Sequence, residues 1–404
     1  MSAQRSASVG IWLGIGSRND PPGKAGLAHL YEHMVFKGTG ARSATRISRE
    51  LEEVGGHLNA FTSREQTCFY AKVLDRDVPR AVNLLADLVT GAKLSATDLR
   101  KERQVVLEEI RSCEDDPDEL VGDLFAETLW PGHPLGAPIA GSIESVRALS
   151  ASDLHEHQVR TLSSEVPMVV CAAGAIDHES LVGEVARRLE AKASGSPLRQ
   201  KASRPGRRRQ ESRIVTKDVS QVNLILARRS LSAEDSLRHA LSLVNLVLGG
   251  GMASRLNQEI REKRGIVYSV YSFADFLINA GAMGVSLGTD PSQARQAVDL
   301  VVREIRKLRS KGLSRKDLRF AKDYAAGSAI LALESSSARM QNLGKCQLLY
   351  GRPLGLTEIV DLIESVTPDQ IAEVIEREIP ELDAANGWTL SAVVPEGFAE
   401  SLLP

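Results

Sequence analysis

Residues 26–38 read Gly-Leu-Ala-His29-Leu-Tyr-Glu32-His33-Met-Val-Phe-Lys-Gly, with the order His-x-x-Glu-His at the centre. On a helix, two histidines four residues apart project from one face, one turn above the other. Both imidazoles can then reach a single zinc ion at about 2.0–2.1 Å. Glu32, three residues after His29, points into the same sector. It is placed to hold a water rather than to ligate, which is the general-base position in metal-assisted hydrolysis. Histidine pairs at this spacing are more often plain surface or core side chains. The acid in register between them and the apolar Leu30, Met34, Val35 and Phe36 around them argue for chemistry.

A third ligand must come from elsewhere in the chain. Leu94-Ser95-Ala-Thr-Asp98 reads as a helix start, with Ser95 and Asp98 in a capping-box-like arrangement. At about 100° per residue, Leu99, Glu102, Val106, Glu109, Ile110 and Cys113 share one side of that helix. Two carboxylates on an apolar stripe need partners, and a metal or a metal-bound histidine would serve. Glu108 points roughly the opposite way. The expectation is Glu109 as third zinc ligand, with Glu102 behind it supporting a ligand. His57 is a possible third histidine, but its spacing gives it no support and a strand residue is the better reading.

The elements that carry these residues can be read in turn. Val9, Ile11, Leu13 and Ile15 alternate with smaller residues as in a strand, which Gly16 to Gly23 breaks before the histidine helix. A helix over about 43–54 ends on Gly55-Gly56. Residues 57–65 and 67–73 read as two strands with a turn between them, 166–174 as a buried strand and 178–192 as a helix. Residues 193–212 are small, polar, Pro-containing and basic. They read as a linker between a first unit, 1–192, and a second, 213–404.

Composition narrows the class. With 404 residues the chain exceeds one ordinary core, and 43% apolar and 25% charged residues are those of a globular protein. A net charge of −2 gives no reason to expect nucleic acid or anionic lipid as partner. Four scattered cysteines without a CxxC pair read as small core residues. No run of 18 apolar residues occurs, and the opening Met-Ser-Ala-Gln-Arg lacks a signal-type stretch, so a cytoplasmic protein without a membrane span is expected.

The two halves resemble one another. Leu94-Ser-x-x-Asp98-Leu-Arg100 returns as Leu313-Ser-x-x-Asp317-Leu-Arg319, and Pro134-Leu-Gly136 with Ile143-Glu-Ser-Val146 returns as Pro353-Leu-Gly355 with Ile363-Glu-Ser-Val366. The offsets are 219, 219 and 220 residues, which marks a duplication. At that offset Glu109 falls on Ser328, and the histidine motif falls near Leu248-Gly-Gly-Gly-Met252. The second copy keeps cap and turn residues and lacks every proposed ligand. What only the first copy has is therefore not a requirement of folding.

The inverted His29-x-x-Glu32-His33 motif, a glutamate 76 residues past His33, and Phe36-Lys-Gly-Thr39 resemble the pitrilysin-type inverzincin metallopeptidases. Leu248-Gly-Gly-Gly-Met-Ala-Ser-Arg-Leu256 and Arg261-Glu-Lys-Arg-Gly-Ile-Val-Tyr268 are similar to the second half of that family's short branch. The likeness covers nearly the whole chain, although the family usually has one strand more ahead of the position of Ser6.

The resemblance implies an α/β (α+β) fold of two homologous units, each a mainly antiparallel sheet with flanking helices, closing around a chamber. It implies one zinc per chain and hydrolysis of peptides or unfolded segments. Asn59, Ala60 and Phe61 would lie on an edge strand that the peptide extends, and Arg261 and Tyr268 would meet the substrate carbonyl and the developing oxyanion. Long members of the family enclose the chamber with four such units, so this chain is expected to pair as a homodimer that completes each site in trans. A processing peptidase for one partner peptide, or a non-catalytic subunit of a heterodimer, are the alternative readings.

The helical phase makes a direct prediction about the tandem glutamates. Glu109→Gln should weaken zinc binding by more than an order of magnitude, the scale at which metal-site residues act, while Glu108→Gln leaves it nearly unchanged. Competition against a chelator measures both; the reverse outcome would show the phase to be wrong.

Overall fold

A computed structural model of the chain describes residues 5–189, 202–206, 212–382, 387–399 and 401–402. The linker expected over 193–212 falls mostly outside these residues. Four strands, β1 (Ser6–Leu13), β2 (His57–Thr62), β3 (Thr67–Leu74) and β4 (Met168–Gly174), form one sheet in the order β2-β3-β1-β4. Every neighbouring pair in it is antiparallel, with Ile11 opposite Phe69 and Val170 at the middle of the ladder.

The alternation read in β1 has a physical cause on each face. Ala7, Val9, Ile11 and Leu13 enter a core shared with Leu30 and Met34 of the histidine helix, Leu84 and Leu88 of helix Val78–Gly91, and Val106 of helix Ala96–Asp115. The residues between them, Ser8, Gly10 and Trp12, face helix Ser336–Tyr350. The Ser8 hydroxyl meets those of Ser336 and Ser337 at 2.9 and 3.0 Å, and Trp12 Nε1–H donates to Met340 Sδ at 3.3 Å. A Cβ on Gly10 would lie 2.6 Å from Met340 Sδ, and one on Gly344 would lie 2.2 Å from the Trp12 ring. The absent side chains are what let the helix settle. Burying the Trp12 ring there contributes roughly 4–6 kcal/mol before entropy is charged against it.

The second sheet has β5 (Arg213–Lys217), β6 (Val222–Arg229), β7 (Val267–Phe276), β8 (Gly281–Thr289) and β9 (Thr389–Pro395), in the order β5-β9-β6-β8-β7. Only β5 and β9 run parallel. Leu224 and Leu226 of β6 face a core with Leu241, Val244 and Val298, while Ile225 and Ala227 face Val121 and Leu124 of helix Pro117–Leu129.

The compact units therefore do not follow the order of the chain. The first comprises Met1–Arg111, Ala137–Lys201 and Ile330–Gly355; the second comprises Ser112–Gly136, Ala202–Ala329 and Leu356–Pro404. Each takes one helix from the other side of the linker. Pro117 and Ser336, where these two helices begin, are 219 residues apart, the period of the duplication. The two copies have exchanged equivalent helices. No helix among the described residues is long and apolar enough to cross a membrane.

Candidate metal centre

The histidine helix, Leu27–Val35, is only nine residues long, and both of its ends are tied down. It starts abruptly from Gly26, whose φ of 89° lies in the left-handed region and whose missing Cβ would stand 2.4 Å from the Ala140 carbonyl. Glycine is required there on both counts. The Asp20 carboxylate reaches over the first turn and accepts from the backbone N–H groups of Gly26, Leu27 and Ala28 at 2.9–3.1 Å. At the other end, Gly38 O accepts from Lys93 N at 2.9 Å and Thr39 bridges to Ala92. The residues that leave the histidine helix are thus bound to those leading into the glutamate helix, Ala96–Asp115.

Leu27, Ala28, Leu30, Tyr31, Met34 and Val35 of the histidine helix are buried, which leaves His29, Glu32 and His33 on the remaining face. On the glutamate helix Leu99, Glu102, Val106, Leu107 and Ile110 are buried. The start of that helix is capped as read, with Asp98 N donating to Ser95 Oγ at 3.1 Å. Glu109 Oε2 lies 3.9 Å from His29 Nε2 and 3.5 Å from His33 Nε2, and all three residues offer ligand atoms within 4.8 Å of one another. Bonds of 2.0–2.1 Å to a tetrahedral ion require ligand separations of about 3.3 Å. Small side-chain movements would close that difference. Two imidazoles and one carboxylate are a donor set of catalytic zinc, and the carboxylate, 48% exposed, leaves the cluster open on one side. Glu108, 75% exposed, pairs instead with Arg111.

The surroundings adjust these groups. Burial, reinforced by the neighbouring His33, pushes His29 down to about 4, so its imidazole is neutral near pH 7 and free to ligate. Glu32 is raised above the ordinary carboxylate range by burial, against the pull of a Thr62 hydrogen bond and of His33, while Glu109 raises it further. One of its oxygens, Oε2, is buried without a hydrogen-bond partner. Glu102 Oε1 lies 3.1 Å from His33 Nδ1, and its other oxygen is 2.6 Å from Lys37 Nζ.

Asn59, Ala60 and Phe61 lie on β2, an edge strand of the first sheet, where Ala60 N–H donates to Asn59 Oδ1 at 2.8 Å. Phe61 stands edge-on to Trp12, with ring centroids 5.5 Å apart. Arg261 and Tyr268 belong to the second unit, and each sits on an irregularity. Arg261 is in the last turn of a π-helix, Asn257–Glu262, and Tyr268 lies at a bulge between Val267 and Ser269, with 77% of its surface exposed. Irregularities of both kinds are common at functional sites, where they re-aim side chains. The contacts of Asp20 and Thr62 escaped the sequence reading. The one signal for Asp20 was an acid ahead of the helix, too far upstream for an ordinary cap.

Residues 1–142 match the family model described as Insulinase (Peptidase family M16), and 148–324 match Peptidase M16 inactive domain. A protein of Mycobacterium leprae named as an uncharacterized zinc protease is 38% identical over 376 residues, which is 92% of this chain and 84% of the relative. The chain belongs to peptidase family M16. A second M16 relative, also named a zinc protease, comes from Bacillus subtilis and is 33% identical over 97% of this chain and 94% of its own. The M16 fold is equally clear among solved structures. A protease from Helicobacter pylori superposes with a TM-score of 0.88 at 20% identity, over 98% of this chain and 95% of that one. A Pseudomonas fluorescens structure titled as a peptidase M16 inactive domain gives 0.85 at 21%, over 99% and 95%.

The cap on the histidine helix carries a testable pH dependence. Burial holds the Asp20 carboxyl up to about 7, against three backbone donors and Arg160 that pull it down. Between its ordinary 3.8 and about 7 the folded chain binds a proton that the unfolded chain has released. Stability therefore falls as pH rises through that window, by up to ~1.4 kcal/mol per unit. Asp20→Asn keeps an oxygen acceptor and cannot ionise, so it should flatten the slope. Melts of both proteins across the window check this, and identical slopes would remove Asp20 as the group responsible.

Proposed function

We propose that the chain is a zinc-dependent endopeptidase, with one zinc per chain held by His29, His33 and Glu109. The observation that carries this reading is the convergence of three ligand atoms from two helices, with the half-buried Glu32 beside them on the histidine face. Zinc in such a site is a Lewis acid that polarises a carbonyl and brings the pKa of water down toward about 7.

The chain's own residues do the rest. Glu32 takes the proton of the attacking water and passes it to the leaving amine. A carboxyl raised toward the working pH is suited to doing both. The free edge of β2 lets an extended peptide add to the sheet through backbone hydrogen bonds at Asn59, Ala60 and Phe61. That mode selects peptides and unfolded segments, because a folded protein offers few unpaired strands. The incoming strand would displace the Asn59 side chain from Ala60 N–H. Arg261 and Tyr268 supply a cation and a phenol to the substrate carbonyl and the developing oxyanion. In this reading they come from the partner protomer of a homodimer, which closes the chamber. No nucleic acid or membrane takes part.

Glu32→Gln should keep zinc bound and the fold intact while peptide hydrolysis drops by roughly 10²–10⁴-fold, the usual worth of a general base. Elemental analysis beside a peptide-cleavage assay tests it; full turnover in the zinc-loaded variant would end the assignment.

Trans completion is tested by mixing. Glu32→Gln and Arg261→Ala chains, each poorly active alone, are allowed to exchange subunits. In a mixed dimer the protomer with intact Glu32 receives Arg261 from its partner, so one complete site returns and activity recovers. Proven exchange without recovery would refute the trans arrangement.

A further inference from the structure

Lys37 lies two residues past the histidine helix, and a lysine there would ordinarily extend into water, where the helix dipole favours it. Instead its ammonium turns back to Glu102, with Nζ 2.6 Å from Oε2 and the two side chains 34% and 8% exposed. The other oxygen of Glu102 faces His33 Nδ1 at 3.1 Å. Each oxygen of this buried carboxylate is thus directed at a different partner. A carboxylate held on one side only would turn about its last torsion, which has broad wells.

The backbone of Lys37 is itself fixed. Its N–H donates to Met34 O at 3.1 Å, and the next residue accepts from Lys93 N. The Thr39 hydroxyl and Arg42 both donate to Asp87 at 2.7 Å, which fastens the turn to helix Val78–Gly91. The ammonium is delivered from a rigid corner.

We propose that Lys37 is a positioning residue of the metal centre. By holding Oε2 of Glu102 it aims Oε1 at His33. An ionised carboxylate only accepts, so His33 Nδ1 carries the hydrogen, and Nε2 keeps its lone pair on the side of Glu109. This inference rests on the zinc reading above. It also runs against simple Coulomb reasoning, in which a cation near a dication repels it and its removal tightens metal binding.

Zinc competition with a chelator separates the two. Lys37→Met should weaken zinc binding by about 10–100-fold, the scale of such outer contacts, and Lys37→Arg, which keeps a cationic donor, should recover most of it. In a Glu102→Gln background, Lys37→Met should bring no further loss. Unchanged or tighter binding in Lys37→Met would overturn the proposal.

A metal-free readout stands beside this. Nitrogen-15 NMR of the histidine rings at about pH 8, above the ordinary histidine pKa, should show His33 protonated at Nδ1 in the parent and a mixture of tautomers in Lys37→Met. The same tautomer in both would also overturn it. If the parent protein takes up no zinc that His29→Ala abolishes, the zinc reading fails, and the ring tautomers still decide the role of Lys37.

Discussion

Three electron-pair donors held within 4.8 Å of one another, on two helices far apart in sequence, are the constraint that the first unit serves. Nothing local makes the nine-residue histidine helix meet the glutamate helix at the right height. That height is set by short polar ties at its ends, the Asp20 cap at one and the Gly38–Lys93 and Thr39–Ala92 contacts at the other. The apolar residues between them only press both helices into the same core. Moving one tie by a fraction of a helical turn would carry one of the three donor atoms away from the other two, and a metal site tolerates only a few tenths of an ångström.

Much of this was legible from spacing. The helical period placed Glu102 and Glu109 on one stripe and turned Glu108 away, and the four-residue step from His29 to His33 put both rings on one face. Periodicity works there because both helices are amphipathic against a core. It could not show that β2 lies at the edge of its sheet among the described residues, since a hairpin pattern reports the partner a strand has and never the one it lacks. Nor could it find Asp20, which caps from six to eight residues upstream where capping rules look one residue back.

The exchange of helices was equally hidden. Ser8 and Gly10 look like weak positions in a strand. Their smallness is a fit to Ser336 and Met340, residues that no local pattern connects to them. The duplication was visible as a period, but a period says that two segments are alike and not which sheet each will cover. The equivalence of Pro117–Leu129 and Ser336–Tyr350 became meaningful only once each was seen on the other copy's sheet.

That exchange bears on how the protein is born. On a ribosome a chain emerges from its N-terminus, so β1 appears long before helix Ser336–Tyr350. The hydroxyl of Ser8 must wait for a partner 328 residues later, and the indole of Trp12 waits as long for Met340. Until then that side of the first sheet lacks helix Ser336–Tyr350, and the Trp12, Phe61 and Tyr70 side chains on it are open to any passing hydrophobic segment. The half that carries His29, His33 and Glu109 is thus finished only after the greater part of the other half has been made.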